Sequence, residues 1–315
     1  MIEGSSIFIA GHTGLVGSAI LRALNHSGQY TLITASRSEL DLTNQDSVNH
    51  WFAQKKPDYV FLAAAKVGGI LANKSFKGEF IHQNLMIQSN VIHSAYTHGC
   101  RKLLFLGSSC IYPKHAQVPI REDQLLTGPL EETNDAYAIA KIAGHMQCKA
   151  YAQQYGFNAI SLMPTNLYGP NDNFHPQNSH VFAALIRRFH EAKRDQKSTV
   201  ICWGDGSPLR EFLFVDDLAD AAIWAMKHYH DPALLNIGTG IDVSIKALAE
   251  LIAQIVGFQG TIKWDTSKPN GTHRKVMDIT KAHSLGWKAN TSLSEGIVKT
   301  YEWFKNQPLN SLVTR

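Results

Sequence analysis

The sequence predicts an α/β fold with a doubly wound parallel sheet and a smaller, discontinuous α/β domain. Three observations carry that expectation. Short apolar runs alternate with longer amphipathic stretches through the first half of the chain, a glycine-rich turn directly follows the first run, and the texture changes after Pro164. Strands separated by helices imply a parallel sheet covered on both faces.

In chain order, Ile7 to Ala10, Thr31 to Thr34, Tyr59 to Ala65, Leu103 to Leu106 and Ile160 to Met163 read as buried strands. Leu15 to Leu24, Ser47 to Lys55, Leu85 to His98 and Ala138 to Gln154 carry the helical spacing of crossovers. A polar segment from Asn171 to Ser179 then precedes a helix, Val181 to Ala192, a strand near Thr199 to Cys202 and the turn Gly204-Asp205-Gly206. Phe214 to His228 reads as a strand end plus helix, and Leu234 to Ile237 as a strand returning to the first sheet. The remainder reads as a helix from Ile245 to Val256, a strand from Thr261 to Trp264, a loop from Lys268 to Lys275 and a helix from Leu293 to Lys305. Residues 1–168 with 212–238 therefore form the expected first domain, and 169–211 with 239–315 the second.

At 315 residues the chain can bury a core without disulfide or metal staples, and 44% apolar against 18% charged residues excludes disorder. The net charge of +4 is spread along the sequence, which suits an anionic small molecule better than nucleic acid. Cys100, Cys110, Cys148 and Cys202 form no C-x-x-C pair and no metal spacing, so free thiols, no metal and a reducing, cytoplasmic setting are expected. The first ten residues hold neither a signal-peptide core nor a membrane span.

Gly11-His12-Thr13-Gly14-Leu15-Val16-Gly17 follows the first strand and opens the first helix, in the spacing G-x-x-G-x-x-G. Gly11 permits the tight turn, Gly14 lets the backbone approach a diphosphate and Gly17 lets helix and strand pack closely. The helix N-terminus offers N–H groups and a favourable dipole to the anion. This predicts a Rossmann-like dinucleotide site. At the end of the second strand, Ala35-Ser36-Arg37 stands where an NAD site carries an acid for the ribose 2′-hydroxyl. A cation there, helped by the Ser36 hydroxyl, favours a 2′-phosphate and hence NADP(H). Asp41 is either an adenine contact or a turn-forming aspartate.

Tyr137 and Lys141 lie four residues apart, on one face of a helix. An ammonium beside a phenol favours the phenolate, so a phenol able to exchange a proton with a carbonyl oxygen is expected. Leu106-Gly107-Ser108-Ser109-Cys110 supplies a serine at the carboxyl end of a strand, the edge at which open α/β sheets bind ligands.

The glycine loop, Ser108 and the Tyr137/Lys141 pair resemble the extended short-chain dehydrogenase/reductase family. Leu62 to Ile70, Gly107 to Pro113, Met163 to Pro170, Asp172 to Pro176 and Asn178 to Val181 are similar to its epimerase-reductases of GDP-sugars. That resemblance spans nearly the whole chain. It implies epimerisation at C3 and C5 of GDP-4-keto-6-deoxy-D-mannose, then hydride delivery from NADPH to C4, giving GDP-L-fucose. By the same resemblance Ser108, Tyr137 and Lys141 serve the reduction, with Cys110 as the epimerisation base and His180 as the acid on the opposite face. Cys110 then needs a cationic or polar neighbour, such as Lys141 or His180, to become a thiolate. The implied cofactor set is Gly11 to Gly17, Arg37, Asp41, Leu106, Gly107, Ser108, Ser109, Tyr137, Lys141, Pro164, Thr165, Asn166, Leu167 and His180. Arg188, Trp203 and Arg210 match the GDP-sugar contacts. Asn270 stands where many relatives carry an acid, and Thr13 where some carry an arginine, which leaves more of the NADP preference to Arg37. A homodimer through the helices 85–98 and 138–154 is likewise implied. The same residues admit a relative acting on another GDP-4-keto sugar, such as a heptose, and a catalytically silent NADP-binding sensor.

Overall fold

The computed structural model describes residues 1–308 apart from Gln177 and Pro269. Those two fall in the loops expected at 171–179 and 268–275, and the end of the expected second domain, 309–315, lies outside the described residues. Strand β1 (Ser6–Ala10) runs into helix α1 (Leu15–Ser27), followed by β2 (Thr31–Ile33), α2 (Gln45–Lys55), β3 (Tyr59–Leu62), α3 (Ile70–Ser75), α4 (Lys77–Thr97), β4 (Lys102–Leu106), α5 (Asp135–Tyr155) and β5 (Ala159–Pro164). Next come β6 (Asn166–Tyr168), α6 (Val181–Arg194), β7 (Thr199–Trp203), β8 (Leu209–Phe214), α7 (Val215–His228) and β9 (Leu234–Ile237). The chain closes with β10 (Asp242–Ser244), α8 (Ile245–Val256), β11 (Thr261–Asp265), β12 (Arg274–Lys275), α9 (Thr280–Ser284) and α10 (Leu293–Lys305).

Six strands form one parallel sheet in the order β2-β1-β3-β4-β5-β9, so the α/β expectation holds and Leu234–Ile237 does return to it. The strand period of two sends Ile7 and Ile9 to one face and Phe8 and Ala10 to the other. Ile20 and Leu24 of α1 and Leu218 and Met226 of α7 cover the first face; Phe52 of α2, Val91 of α4 and Cys148 of α5 cover the second. The order reverses between β1 and β3, opening a crevice beyond the carboxyl ends of the strands where ligands bind in this architecture. Strands β8, β10 and β12 form a second sheet that β6 joins by pairing with β8, and β7 pairs with β11. Residues of α6, α8 and α10 enclose a separate core around Phe182, Phe189, Ile252 and Phe304.

Helix α4 begins at Lys77 rather than near Leu85. Its first turns are polar and contain Gly78, so periodicity misses them. Tertiary contacts hold them instead: Phe80 is buried, and Asn84 Nδ2 donates to the Lys66 carbonyl at 3.0 Å and the Phe80 carbonyl at 2.8 Å. Strand β3 stops at Leu62, not Ala65; beyond it Ala64 lies against Gly11, and the Lys66 N–H donates to Asn84 Oδ1 at 2.9 Å. No helix among the described residues is long and apolar enough to cross a membrane.

A Cβ on Gly17 would overlap the Gly11 carbonyl, lying 2.6 Å from its carbon. Gly17→Ala should therefore cost about 1–3 kcal/mol, read as a drop of several degrees in Tm by calorimetry. An unchanged Tm would show that α1 does not depend on this close approach.

Candidate active site

Gly11 has φ +86°, and a Cβ there would lie 2.8 Å from the Ala64 Cα, so both ends of the turn are shaped by missing side chains. Gly14 caps α1 with no side chain bonded to the helix N–H groups. The His12 Nδ1 is buried without a hydrogen-bond partner among the described residues. Open helix N–H groups, a glycine turn packed backbone to backbone and an unpaired buried ring nitrogen fit a dinucleotide diphosphate. Thr13 is exposed, while Leu15 and Val16 pack on the core.

The strand end after β2 differs from expectation. The Ser36 hydroxyl, expected to assist a 2′-phosphate, donates to Glu39 Oε2 at 2.7 Å, and the Ser36 N–H donates to the same oxygen at 2.7 Å. A carboxylate thus stands beside the exposed Arg37. Asp41 forms a turn: its Oδ1 accepts from the Thr43 N–H at 3.0 Å and hydroxyl at 2.8 Å.

At the end of β4, Leu106, Gly107 and Ser109 are buried, and the Ser108 Oγ accepts from the Cys110 N–H at 3.4 Å. Tyr137 reaches this loop from α5, with its ring edge against Phe80 at 6.4 Å between centroids. The Tyr137 phenol is buried beside Ser108 and within the field of Cys110. Lys141 is buried; its Nζ donates to the Leu106 carbonyl at 2.8 Å and lies 5.8 Å from the Tyr137 ring centroid. The expectation that Lys141 pulls the phenol towards ionisation is not met. Burial, followed by the field of Cys110, pushes the Tyr137 phenol up, and burial lowers Lys141 to about 8.

His180 is exposed at the N-cap of α6, the protein around it lowers the pKa of its imidazole, and no hydrogen bond or ring contact among the described residues joins it to Cys110 or Tyr137. Burial also pushes the Cys110 thiol up, against the fields of Lys275 and Lys141 and a Ser108 hydrogen bond. Lys141 is thus one cation acting on Cys110, as expected, but the other is Lys275 of β12 rather than His180. Sequence reasoning passed over Lys275, although a lysine beside the apolar Val276 and Met277 marks a charge carried towards the interior.

Thr165 and Asn166 turn inward, with Asn166 Nδ2 donating to the Glu211 carbonyl at 2.8 Å. The Thr165 N–H pairs with the Ile237 carbonyl at 3.0 Å, Pro164 ends β5 against Ile237, and Leu167 packs on the core. Glu211 was also missed. Its fully buried carboxylate accepts from the N–H groups of Thr239 at 2.6 Å, Gly240 at 2.8 Å and Met277 at 2.8 Å, tying the chain after β9 to the chain after β12.

Around Trp203, which is 47% exposed, the Arg188 guanidinium lies 5.6 Å and the Lys268 ammonium 5.8 Å from the ring. Asn270 Oδ1 accepts from the Asp205 N–H at 2.9 Å, and Gly271 lies against the Arg210 guanidinium. The four residues expected at a GDP-sugar, Arg188, Trp203, Arg210 and Asn270, thus line one corner.

A sequence profile of the NAD dependent epimerase/dehydratase family matches residues 7–238. The chain belongs to that family. Within it, a putative GDP-L-fucose synthase 2 of Arabidopsis thaliana is 60% identical over 96% of this chain and 93% of its own length. A GDP-L-fucose synthase of Escherichia coli K12 is 52% identical over 95% of this chain and 96% of its own. The GDP-mannoheptose C4 reductase of Campylobacter jejuni, solved with NADP bound, superposes with a TM-score of 0.89 at 41% identity, covering 97% of this chain and all of its own.

In this member of the family, Cys110 is half-buried while Cys100, Cys148 and Cys202 are buried. Removing the Lys275 cation should raise the Cys110 thiol further. In Lys275→Met the pH midpoint of iodoacetamide alkylation should move up, slowing the reaction at pH 8 by about threefold to tenfold. An unmoved midpoint would remove Lys275 from the thiol's environment.

Proposed function

We propose that this chain is a bifunctional NADPH-dependent epimerase-reductase that converts GDP-4-keto-6-deoxy-D-mannose to GDP-L-fucose. The observation that carries this reading is the half-buried thiol of Cys110 on the loop of Ser108, whose Oγ accepts from the Cys110 N–H at 3.4 Å, at the strand end to which Lys141, one helical turn from Tyr137, is bonded. A ketone reductase needs the phenol and serine; the thiol is what epimerisation adds. The deoxyhexose is preferred to a heptose because the relatives at 52% and 60% identity carry the fucose name, whereas the heptose reductase stands at 41%.

The cofactor would lie along Gly11 to Gly17, Arg37, Leu106 to Ser109, Tyr137, Lys141, Pro164 to Leu167 and His180, and when bound it supplies the hydride for C4. In the second lobe, Arg188 and Arg210 would clamp the diphosphate, Trp203 would pack against base or sugar, and the Asn270 amide nitrogen would face the nucleoside. Residues 1–168 with 212–238 thus hold cofactor, and 169–211 with 239–315 hold GDP-sugar. The free thiols suit the cytoplasm. Exposed Ile139, Met146 and Tyr155 on α5 suit a homodimer through α4 and α5.

Cys110, as thiolate, takes the proton from a carbon beside the keto group. The charge moves to the keto oxygen, which accepts hydrogen bonds from Tyr137 and Ser108. His180, once protonated from solvent, returns a proton to the opposite face and inverts the centre; Cys110 releases the proton it took to solvent, which resets the pair for the second centre. After both inversions, Tyr137 gives its proton to the C4 oxygen as that carbon is reduced. The phenolate left behind is balanced by the nearby Lys141 ammonium. A phenol held protonated by burial is the form this last step requires.

With GDP-4-keto-6-deoxy-D-mannose and NADPH, the wild-type chain should consume the dihydronicotinamide absorbance. Tyr137→Phe should slow consumption by about 10²-fold to 10⁴-fold with its Tm retained. A flat wild-type trace would favour the silent sensor, and full turnover by Tyr137→Phe would take the phenol out of the reaction.

A further inference from the structure

The ribose end of the cofactor site holds a group that the reading of NADP(H) as cofactor leaves unused. Glu39 folds back on the carboxyl end of β2. Its Oε2 accepts from the Ser36 N–H and hydroxyl, both at 2.7 Å, and its own N–H approaches the Ser36 Oγ at 3.4 Å. This reciprocal pairing has the form of a capping box, here closing a turn with no long helix behind it. The same donors hold the carboxyl below its ordinary range, so it is ionised throughout the working pH. Nearby Asp41 is committed to Thr43.

We infer that Glu39 is a cofactor-selectivity residue: its carboxylate supplies the acid that a ribose 2′-hydroxyl seeks at this strand end and opposes a 2′-phosphate, tempering the preference set by Arg37. The inference rests on the proposed use of NADP(H). An acid at the end of the second strand accepts from the ribose hydroxyls of NAD, and an arginine accommodates the extra phosphate of NADP. This chain presents both, the acid folded back from a position three residues beyond Ser36. The Ser36 hydroxyl also lies 3.0 Å from the Ser38 hydroxyl, so the serines on either side of Arg37 and the Glu39 carboxylate form one cluster, and a 2′-phosphate that used the Ser36 donors would share them with Glu39 or displace it. Exposed charges act weakly and through salt, so the effect is a tuning rather than a switch.

The test is equilibrium binding of NADPH and of NADH, read by fluorescence titration of the protein without sugar substrate. In low salt, Glu39→Gln should tighten NADPH about threefold while leaving NADH unchanged or weaker, and the gain should shrink as ionic strength rises. Glu39→Gln keeps an oxygen to accept from Ser36; Glu39→Ala, which does not, should show the same change in the ratio of the two affinities. Equal weakening of both cofactors, or a ratio insensitive to salt, would mean that Glu39 only closes the turn and would overturn the inference. Binding of neither cofactor by the wild type would overturn the proposed function as well, whereas tight NADPH binding with an unmoved ratio would sink only this inference.

Discussion

A hydrogen bond from the Lys141 ammonium to the Leu106 carbonyl, 2.8 Å long and buried, joins helix α5 to the end of strand β4, and the side chains proposed to react take their positions from that joint. One helical turn before Lys141, Tyr137 is carried over the loop that bears Ser108 and Cys110. That loop cannot drift, because it follows the central strand of a parallel sheet whose next neighbour, β5, continues into Thr165 and Asn166. On the far side, the buried carboxylate of Glu211 gathers the N–H groups of Thr239, Gly240 and Met277, and so sets β12, with Lys275, beside Arg210.

Burial drives every ionisable group of this cleft towards its neutral form. The Cys110 thiol and Tyr137 phenol are pushed up; Lys141, Lys275 and the His180 imidazole are pushed down. Isolated charges would be expensive here. A thiolate or phenolate that forms beside an ammonium costs less than one formed alone. In the proposed reaction this is the electrostatic basis on which one pocket would serve two roles: thiol and imidazole for carbon acids, phenol for the carbonyl oxygen.

Much of this was legible in the sequence where chemistry is tied to a local pattern. The glycine spacing after β1, the four-residue interval from Tyr137 to Lys141 and the serine at the end of β4 each follow from one element. Arg188, Trp203, Arg210 and Asn270 were placed by resemblance, and the structure gathers them although they come from different elements. What stayed hidden depends on distant contacts. Strand β12 has only two residues and no periodicity, so Lys275 looked like part of a loop. Glu39 sits outside any regular element, and its return to Ser36 decides whether the second strand ends beside an acid or a cation alone. The effect of Lys141 on Tyr137 was misjudged because spacing reports proximity and not desolvation.

Product analysis by NMR after turnover in deuterated water, with GDP-4-keto-6-deoxy-D-mannose and NADPH, bears most directly on the idea that one cleft performs both proton chemistries. Deuterium should appear at C3 and C5 of the sugar, with unlabelled hydride at C4, and replacing Cys110 by serine should suppress the ring label. A reduced product without deuterium at C3 and C5 would contradict it, leaving a C4 reductase whose thiol and imidazole have no part in the reaction.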